Sequence, residues 1–441
     1  MRTEELVEDA RKILQQNWNG KFTTPSPSLY PHQWSWDSAF VAIGNSHYDI
    51  ERSIKELEYL FDAQWKNGMV PHIVFNDRAT SYFPSGEFYD CQRSSDAPKH
   101  VKTSGMTQPP VHAIASYYVY KNHPDEQEAK KFLKSNFPKI MKFHEYLMSD
   151  RDPEGMGAIT VMHPWESGMD NSPVWDEALK RLDVSDIPKY KRKDLENVSD
   201  PGQRPSKETY DRFIFLLHIM KKYDYDHLGM YDDYPFKIKG AAFTSLLYTS
   251  NNYLLKIADI INEENRSIID WQSRIKNNFQ KNFCPNLKTD PLCYNYDLIA
   301  KEHIMKQTVG SMVPIYSGLL TKDQMDKIVD MLGGSRFCGT TCHVKMVPST
   351  GLDEKDYTPQ LYWRGPVWIN VNWLVWCGLQ KYGYKEKADQ IKDGVIELVK
   401  EHGFYEYFDA STGAGYGGRN FSWTAALLID VIKNREFEIA P

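Results

Sequence analysis

Residues 385–402 read KEKADQIKDGVIELVKEH, with Ile391, Val395, Leu398 and Val399 recurring at steps of three and four. That spacing gathers the apolar side chains on one face of an α-helix and leaves the charged ones outside. Leu57, Leu60 and Phe61 repeat the pattern in 51–65. Outward from these two stretches, the same period predicts helices at about 3–17, 37–48, 110–122, 126–149, 206–223, 238–262, 265–281, 307–319, 322–332, 365–382 and 420–434. Few stretches alternate cleanly over six residues. The expected class is all-α, with roughly a dozen helices and almost no strand, far from the usual mixture. Helices of this number and length suit two concentric rings, an (α/α)6 barrel. An irregular bundle or a solenoid is the alternative, and the absence of a fixed-period repeat counts against the solenoid. No Ser/Gly linker or composition break divides the chain, so one domain over 1–441 is expected.

Between the helices run long segments rich in Gly, Pro, Trp and Tyr: 18–36, 66–109, 151–205, 283–305, 333–364 and 403–419. Loops of this length in a compact domain are usually functional or disordered, and their tryptophans argue against disorder. They are expected to stack at one mouth of the barrel, forming a site with a lid or cap over it. The parts around 66–109 and 174–205 would be that lid, with Gly68, Gly86 and Gly105 as hinges.

The 441 residues are 41% apolar and 25% charged, which allows a sizeable core. Aromatics reach 13%, with 12 Trp and 27 Tyr. Flat amphipathic rings of this kind make platforms on which sugars stack, which tilts the reading toward a carbohydrate ligand. A net charge of −6 with no basic block argues against nucleic acid and against an anionic membrane surface. The opening MRTEELVEDARKILQQNW reads as a polar amphipathic helix, without the apolar run of a signal peptide. No later stretch reaches the ~20 apolar residues of a membrane span. A cytoplasmic protein is expected, and its six cysteines are read as mostly reduced.

Several familiar patterns fail on inspection. Residues 413–418, GAGYGG, match G-x-G-x-x-G, but a dinucleotide site needs a preceding strand and a complete βαβ unit. Asp224-x-Asp226 resembles the start of a Ca²⁺ loop, yet Pro235 stands where the twelfth-position Glu is required. Cys338 and Cys342 have no clear partner pair and no His-x-x-x-His occurs, so no zinc site is expected; no cofactor and no metal site are assigned, and a bound Ca²⁺ stays open.

Four other constellations can carry chemistry. In WESGMDNSP (165–173), Asp170 sits on a turn beside Trp165, which could desolvate it and raise its pKa as a general acid requires. Alternatively it makes an Asx-turn. In GFYEYFD (403–409), Glu406 lies among aromatics and is either the second carboxyl of a glycosidase pair or a surface carboxylate. In YPHQWSWDSAF (30–40), Asp37 caps a helix or binds sugar hydroxyls between Trp34 and Trp36. In YWRGPVW (362–368), Pro366 suits a first helical turn, and Arg364 is either a buried structural residue or a substrate contact.

Together and in this order, WSWDSAF, WESGMDNSP, YWRGPVW and YEYFD resemble glycoside hydrolase family 63 over most of the chain. The compact length is similar to the members that cleave glucosylglycerate and mannosylglycerate, not to the much longer processing α-glucosidases. The resemblance implies an (α/α)6 barrel and inversion at the anomeric carbon. It makes Asp170 the acid and Glu406 the base, and it places Trp36, Asp37, Gln108, Trp165, Gly168 and Trp363 around the sugar. Arg204-Pro-x-x-x-x-Tyr210 looks like the segment that holds a carboxylate aglycone, with Tyr30 and Tyr362 as companions. A guanidinium grips a carboxylate through two parallel hydrogen bonds, although Arg204 could equally cap the helix that starts near Ser206. Trp34, Arg364, Trp368 and Trp423 are counted as further substrate contacts. Ala410-Ser-Thr-Gly departs from the wider family, which often has a Pro there, and this bears on how 403–423 closes.

The function expected is therefore inverting hydrolysis of a small α-glucoside or α-mannoside, glucosylglycerate or mannosylglycerate first. Room for the attacking water demands carboxyl groups roughly 6.5–9.5 Å apart. The rivals are an oligosaccharide α-glucosidase or trehalase on the same barrel, and a non-catalytic carbohydrate-binding protein. Glucose against mannose, and a homo-oligomer against a monomer, stay open at this point.

Overall fold

Twelve helices of eleven or more residues frame the chain in the computed structural model, which describes residues 3–434 apart from 197–199, 340, 341 and 343. They are α1 (Thr3–Asn17), α2 (Ser35–Ser46), α3 (Ile50–Asp62), α4 (His112–Asn122), α5 (Glu126–Ser149), α6 (Lys207–Lys222), α7 (Ala241–Ile261), α8 (Arg266–Phe283), α9 (Lys322–Gly333), α10 (Ile369–Lys381), α11 (Lys385–His402) and α12 (Ser422–Lys433).

Burial sorts them into two layers. All twelve residues of α2 are buried, as are Ile369–Leu379 of α10 and Ser422–Val431 of α12. A helix without a polar face belongs inside. α2 packs on α4, α4 on α7, α7 on the 3₁₀ segment Val313–Ser317, that segment on α10, α10 on α12, and α12 back on α2. These six elements form a closed inner ring. The amphipathic helices lie outside it: α1 on α12, α3 on α2, α5 on α4 and α7, α8 on α7, and α11 on α10. α9 joins this outer layer beside α8, where Gln280 donates to Gln324 at 2.9 Å. The architecture is the expected (α/α)6 barrel, with α6 supernumerary. The closing contact is tight: a Cβ on Gly44 of α2 would stand 2.5 Å from Cα of Ala426 on α12.

Two expectations need correction. Residues 307–319 are not one helix but the short 3₁₀ turns Val309–Ser311 and Val313–Ser317. Pro314 cannot donate a helical hydrogen bond and Gly318 ends the run at φ 81°, yet the apolar side chains still occupy a barrel position. Residues 403–419 are not irregular either. Strands β7 (Tyr405–Phe408) and β8 (Gly415–Arg419) make an antiparallel hairpin with a bulge between Tyr405 and Tyr407. The remaining strands are two residues each: β1 (Gln33–Trp34) with β2 (Ile73–Val74), and β3 (Thr160–Val161), β4 (Ile238–Lys239), β5 (Tyr296–Asp297) and β6 (Glu302–His303) in one sheet.

Cys91, Cys284, Cys293 and Cys377 are free and buried, while Cys338 and Cys342 form a disulfide. Among the described residues no helix is long and apolar enough to cross a membrane. Part of the 174–205 stretch, residues 197–199, lies outside the described residues, as do both ends of the 1–441 range.

Candidate active site

The N-terminal ends of α2, α4, α10 and α12 open at one mouth of the barrel, into a cleft of about 710 Å³. α2 and the strand before it bring Trp34, Trp36 and Asp37; the approach to α4 brings Gln108; the approach to α10 brings Tyr362 and Trp363; and α12 brings Trp423. Tyr30, the 165–170 turn with Trp165, Gly168 and Asp170, the β7 residue Glu406, Arg204, and Tyr210 of α6 complete the expected set. Asp37 lies in the first turn of α2 and not at its cap, which is Trp34, so its buried carboxyl faces the cleft. Gln108 Oε1 accepts the amide of Trp36 at 3.2 Å.

The turn that carries Asp170 is braced from below. His163 caps the 3₁₀ turn Pro164–Ser167, its Nδ1 accepting the Trp165 amide at 3.0 Å. Glu166 is fully buried in a fork with Arg151 (3.0 and 2.5 Å) and also accepts the Met162 amide at 2.8 Å. Gly168 takes φ 70° directly against Trp36, where a Cβ would lie 2.4 Å from the indole. The Asx-turn reading of Asp170 fails, because the Ser172 amide is spent on the Met169 carbonyl at 3.2 Å. Asn171 instead ties the turn to the opposite wall by accepting the Trp363 amide at 2.9 Å.

Glu406 is 1% exposed, which removes the surface-carboxylate reading. The β7 bulge turns it inward, where it accepts Tyr30 Oη at 2.8 Å and the Gly418 amide at 2.9 Å. Gly417 has to be glycine: it sits at φ 70°, and a Cβ would come within 2.3 Å of Glu406 Oε2. Arg204 Nη1 donates to the same Tyr30 hydroxyl at 2.8 Å, and its guanidinium lies 4.5 Å from the centre of the Tyr362 ring. Arg204 does not cap α6; Ser206 does, through the Thr209 amide at 3.2 Å.

The two carboxyls differ electrostatically. Asp170 keeps part of its surface open to the cleft, yet desolvation pushes it up to about 7, opposed by Arg204 and reinforced by Glu406. Burial also raises Glu406, but Arg204, the Gly418 amide and the hydroxyls of Tyr30 and Tyr362 all favour its anion. Among the described residues no side chain gives Asp170 comparable donors. A pair whose surroundings pull apart in this way suits one protonated acid and one ionised base.

Two expected contacts do not line the cleft. Arg364 turns away to pair with both carboxylate oxygens of Asp176, its Nη1 to Oδ2 distance being 3.0 Å. Trp368 lies one layer back: it stacks under Trp363 at 3.9 Å and on Tyr407 at 4.6 Å, and donates its indole N–H to the Tyr362 carbonyl at 3.0 Å. Conversely, His72, Tyr82, Phe83, Asp194 and Phe421 line the cleft although sequence reasoning did not select them. His72 and the adjacent Tyr82 and Phe83 come from the irregular 66–109 stretch, whose aromatic richness was the one hint; Asp194 comes from a 3₁₀ turn and Phe421 caps α12. His72 is held neutral by burial, which pushes it down to about 3. Among the described residues, the buried His72 Nδ1 and Trp423 Nε1 have no hydrogen-bond partner.

Residues 30–424, which include every residue of this cleft except Pro25, match the family profile described as "Mannosylglycerate hydrolase MGH1-like glycoside hydrolase domain". The chain belongs to this family of glycoside hydrolases. It is 38% identical to a mannosylglycerate hydrolase of Rubrobacter radiotolerans, over 98% of this chain and 97% of that one. It is 34% identical to a glucosylglycerate hydrolase of Mycolicibacterium hassiacum, over 97% of each. The crystal structure of a GH63 mannosylglycerate hydrolase from Thermus thermophilus in complex with Tris and D-glycerate superposes with a TM-score of 0.90, at 37% identity, over 96% of this chain and 99% of that one. A neutral trehalase from Saccharomyces cerevisiae, at 16% identity and a TM-score of 0.57, shares the toroidal fold with the family.

Proposed function

We propose that this glycoside hydrolase cleaves the bond between an α-mannosyl or α-glucosyl unit and glycerate, with inversion. The observation that carries the reading is a single cleft lined by two carboxyls, Asp170 and Glu406, and a buried guanidinium, Arg204. The sugar stacks against Trp36, Trp165 and Trp363, and Asp37 and Gln108 hold its hydroxyls. Arg204 receives the glycerate carboxylate, with Tyr30, Tyr210 and Tyr362 around it.

Asp170, kept protonated by desolvation, donates its proton to the glycosidic oxygen as the bond to the anomeric carbon breaks. Glu406, kept ionised by the Tyr30 hydroxyl and the Gly418 amide, takes a proton from the water that attacks the opposite face. Segment 66–109 and the described parts of 174–205, through Tyr82, Phe83, Asp194 and Pro205, border the cleft and exclude bulk water. The relatives named for mannosylglycerate and glucosylglycerate support this substrate class.

The test is a substrate panel of mannosylglycerate, glucosylglycerate, kojibiose, nigerose and trehalose, followed by proton NMR. Release of the β-anomer first from a glycosylglycerate is the expected result. Cleavage of the neutral disaccharides only, or first release of the α-anomer, overturns it.

A further inference from the structure

Among the described cleft residues Arg204 is the only fixed cation, facing a wall that also holds Asp37, Asp170 and Glu406. It does not stand alone. Its Nε points at Asp194 Oδ2 across 3.4 Å. Arg192 grips the same carboxylate with a fork, Nε to Oδ1 at 3.0 Å and Nη2 to Oδ2 at 2.5 Å. The third arm of Arg192 reaches forward in the chain: Nη1 donates to the Pro205 carbonyl at 2.5 Å, and the guanidinium lies 4.3 Å from the centre of the Tyr210 ring. The side chains of Arg192, Asp194 and Arg204 are 7%, 6% and 9% exposed, so none of these contacts is a solvated surface pair.

Two consequences follow from charge and geometry. Two guanidiniums sharing one carboxylate leave a single net positive charge at this wall, enough for one anionic group. Arg204 is also attracted by two carboxylates, Asp194 and Glu406. Only Asp194 hydrogen-bonds it directly, so Asp194 holds the guanidinium at the wall and off the acid–base pair. A guanidinium has five N–H donors; the bonds to Asp194 and Tyr30 use two, and the rest can serve a ligand. Meanwhile Arg192 fixes Asp194, Pro205 and Tyr210 relative to one another, which locks Arg204 between them.

We infer that Arg192 and Asp194 are positioning residues that set Arg204 and Tyr210 to receive a carboxylate on the leaving group, and so determine aglycone selectivity. This rests on the function proposed above and names residues that do not themselves take part in the chemistry.

The test compares a glycosylglycerate with the corresponding glycosylglycerol, which replaces the carboxylate by an uncharged hydroxymethyl group. Asp194→Asn and Arg192→Lys keep size while breaking the fork, and their melting curves are recorded alongside that of the unaltered enzyme. For each variant KM for the glycerate compound should rise about tenfold or more, the scale of a lost charge-assisted hydrogen bond. KM for the glycerol compound and kcat for both should stay within about twofold. A parallel loss on both substrates, with or without a lower melting temperature, overturns the inference, since a merely structural role acts on both. Arg204→Ala separates this failure from a failure of the proposed function. If the unaltered enzyme shows no preference for the anionic aglycone, the function reading falls. If Arg204→Ala abolishes a preference that Asp194→Asn and Arg192→Lys retain, only the positioning pair falls.

Discussion

Tyr30 donates a hydrogen bond to Glu406 across 2.8 Å. The bond stabilises the carboxylate form, and it joins Glu406 to Arg204 through one hydroxyl. Removing it with Tyr30→Phe takes away a contact that lowers the Glu406 pKa, so that pKa rises. The acidic limb of the kcat/KM profile, which reports deprotonation of the free enzyme's base, should move to higher pH. Rate at the optimum should fall about tenfold, the scale of one charge-assisted hydrogen bond. An unmoved acidic limb would show that Glu406 is not the group titrating there.

Asp170 gives a stability test with a definite sign. Its carboxyl is pushed from 3.8 to about 7 by burial, so the unfolded chain ionises it more readily than the folded one. The contribution of the protonated group is complete below pH 3.8 and is lost as pH rises through about 7. Asp170→Asn removes that loss. The variant should melt at or above the unaltered enzyme at pH 8, with the difference shrinking toward pH 4, while kcat drops about 10²-fold or more. Thermal melts at both pH values, read beside turnover, check both halves.

Gly417 lies at φ 70° against the Glu406 carboxylate. Gly417→Ala strains the backbone and drives a methyl group into the space of Oε2. A loss of about 1–2 kcal/mol in stability is expected, together with a fall in kcat of about 10²-fold, because a small displacement of a reacting group costs that much. Chemical denaturation and steady-state kinetics would show both. Full activity would mean that the hairpin does not hold Glu406 in place.

The Arg151–Glu166 fork lies 0% and 1% exposed beneath the Asp170 turn. Arg151→Met leaves Glu166 buried without its partner and should cost about 3–5 kcal/mol in urea unfolding. The double variant Arg151→Met/Glu166→Met should regain part of that loss, since the uncompensated charge is gone. A double variant as unstable as the single one would argue that packing, not charge, is what the pair supplies.

The helices were legible because their burial is written at a helical period. The charged stripe of α11 and the nearly charge-free α2, with Asp37 its one charged residue, already say which lies outside and which inside. The 307–319 segment kept the apolar content of a barrel element, but Pro314 and Gly318 shortened it to 3₁₀ turns. The β7–β8 hairpin stayed hidden because β8 reads GYGGR, and a glycine-rich strand carries no alternation. In the cleft, the motifs marked residues that share a local pattern with Asp170 or Glu406. Arg364 and Trp368 sit in such a motif yet serve the layer behind the wall. Asp194, His72 and Tyr82 face the cleft from segments without periodicity, so their neighbours in sequence announce nothing; only the closed ring brings them together.

That ring is sealed where α12 meets α2, and the seal has a bearing on how the protein is made. Tyr30 leaves the ribosome early, whereas Glu406 and α12 emerge only after the other five members of the inner ring have been synthesised. Until α12 docks, the cleft lacks Trp423 and the helix that closes the ring. A chain stopped before residue 406 therefore carries the Asp170 turn without Glu406, Trp423 or the helix that closes the ring.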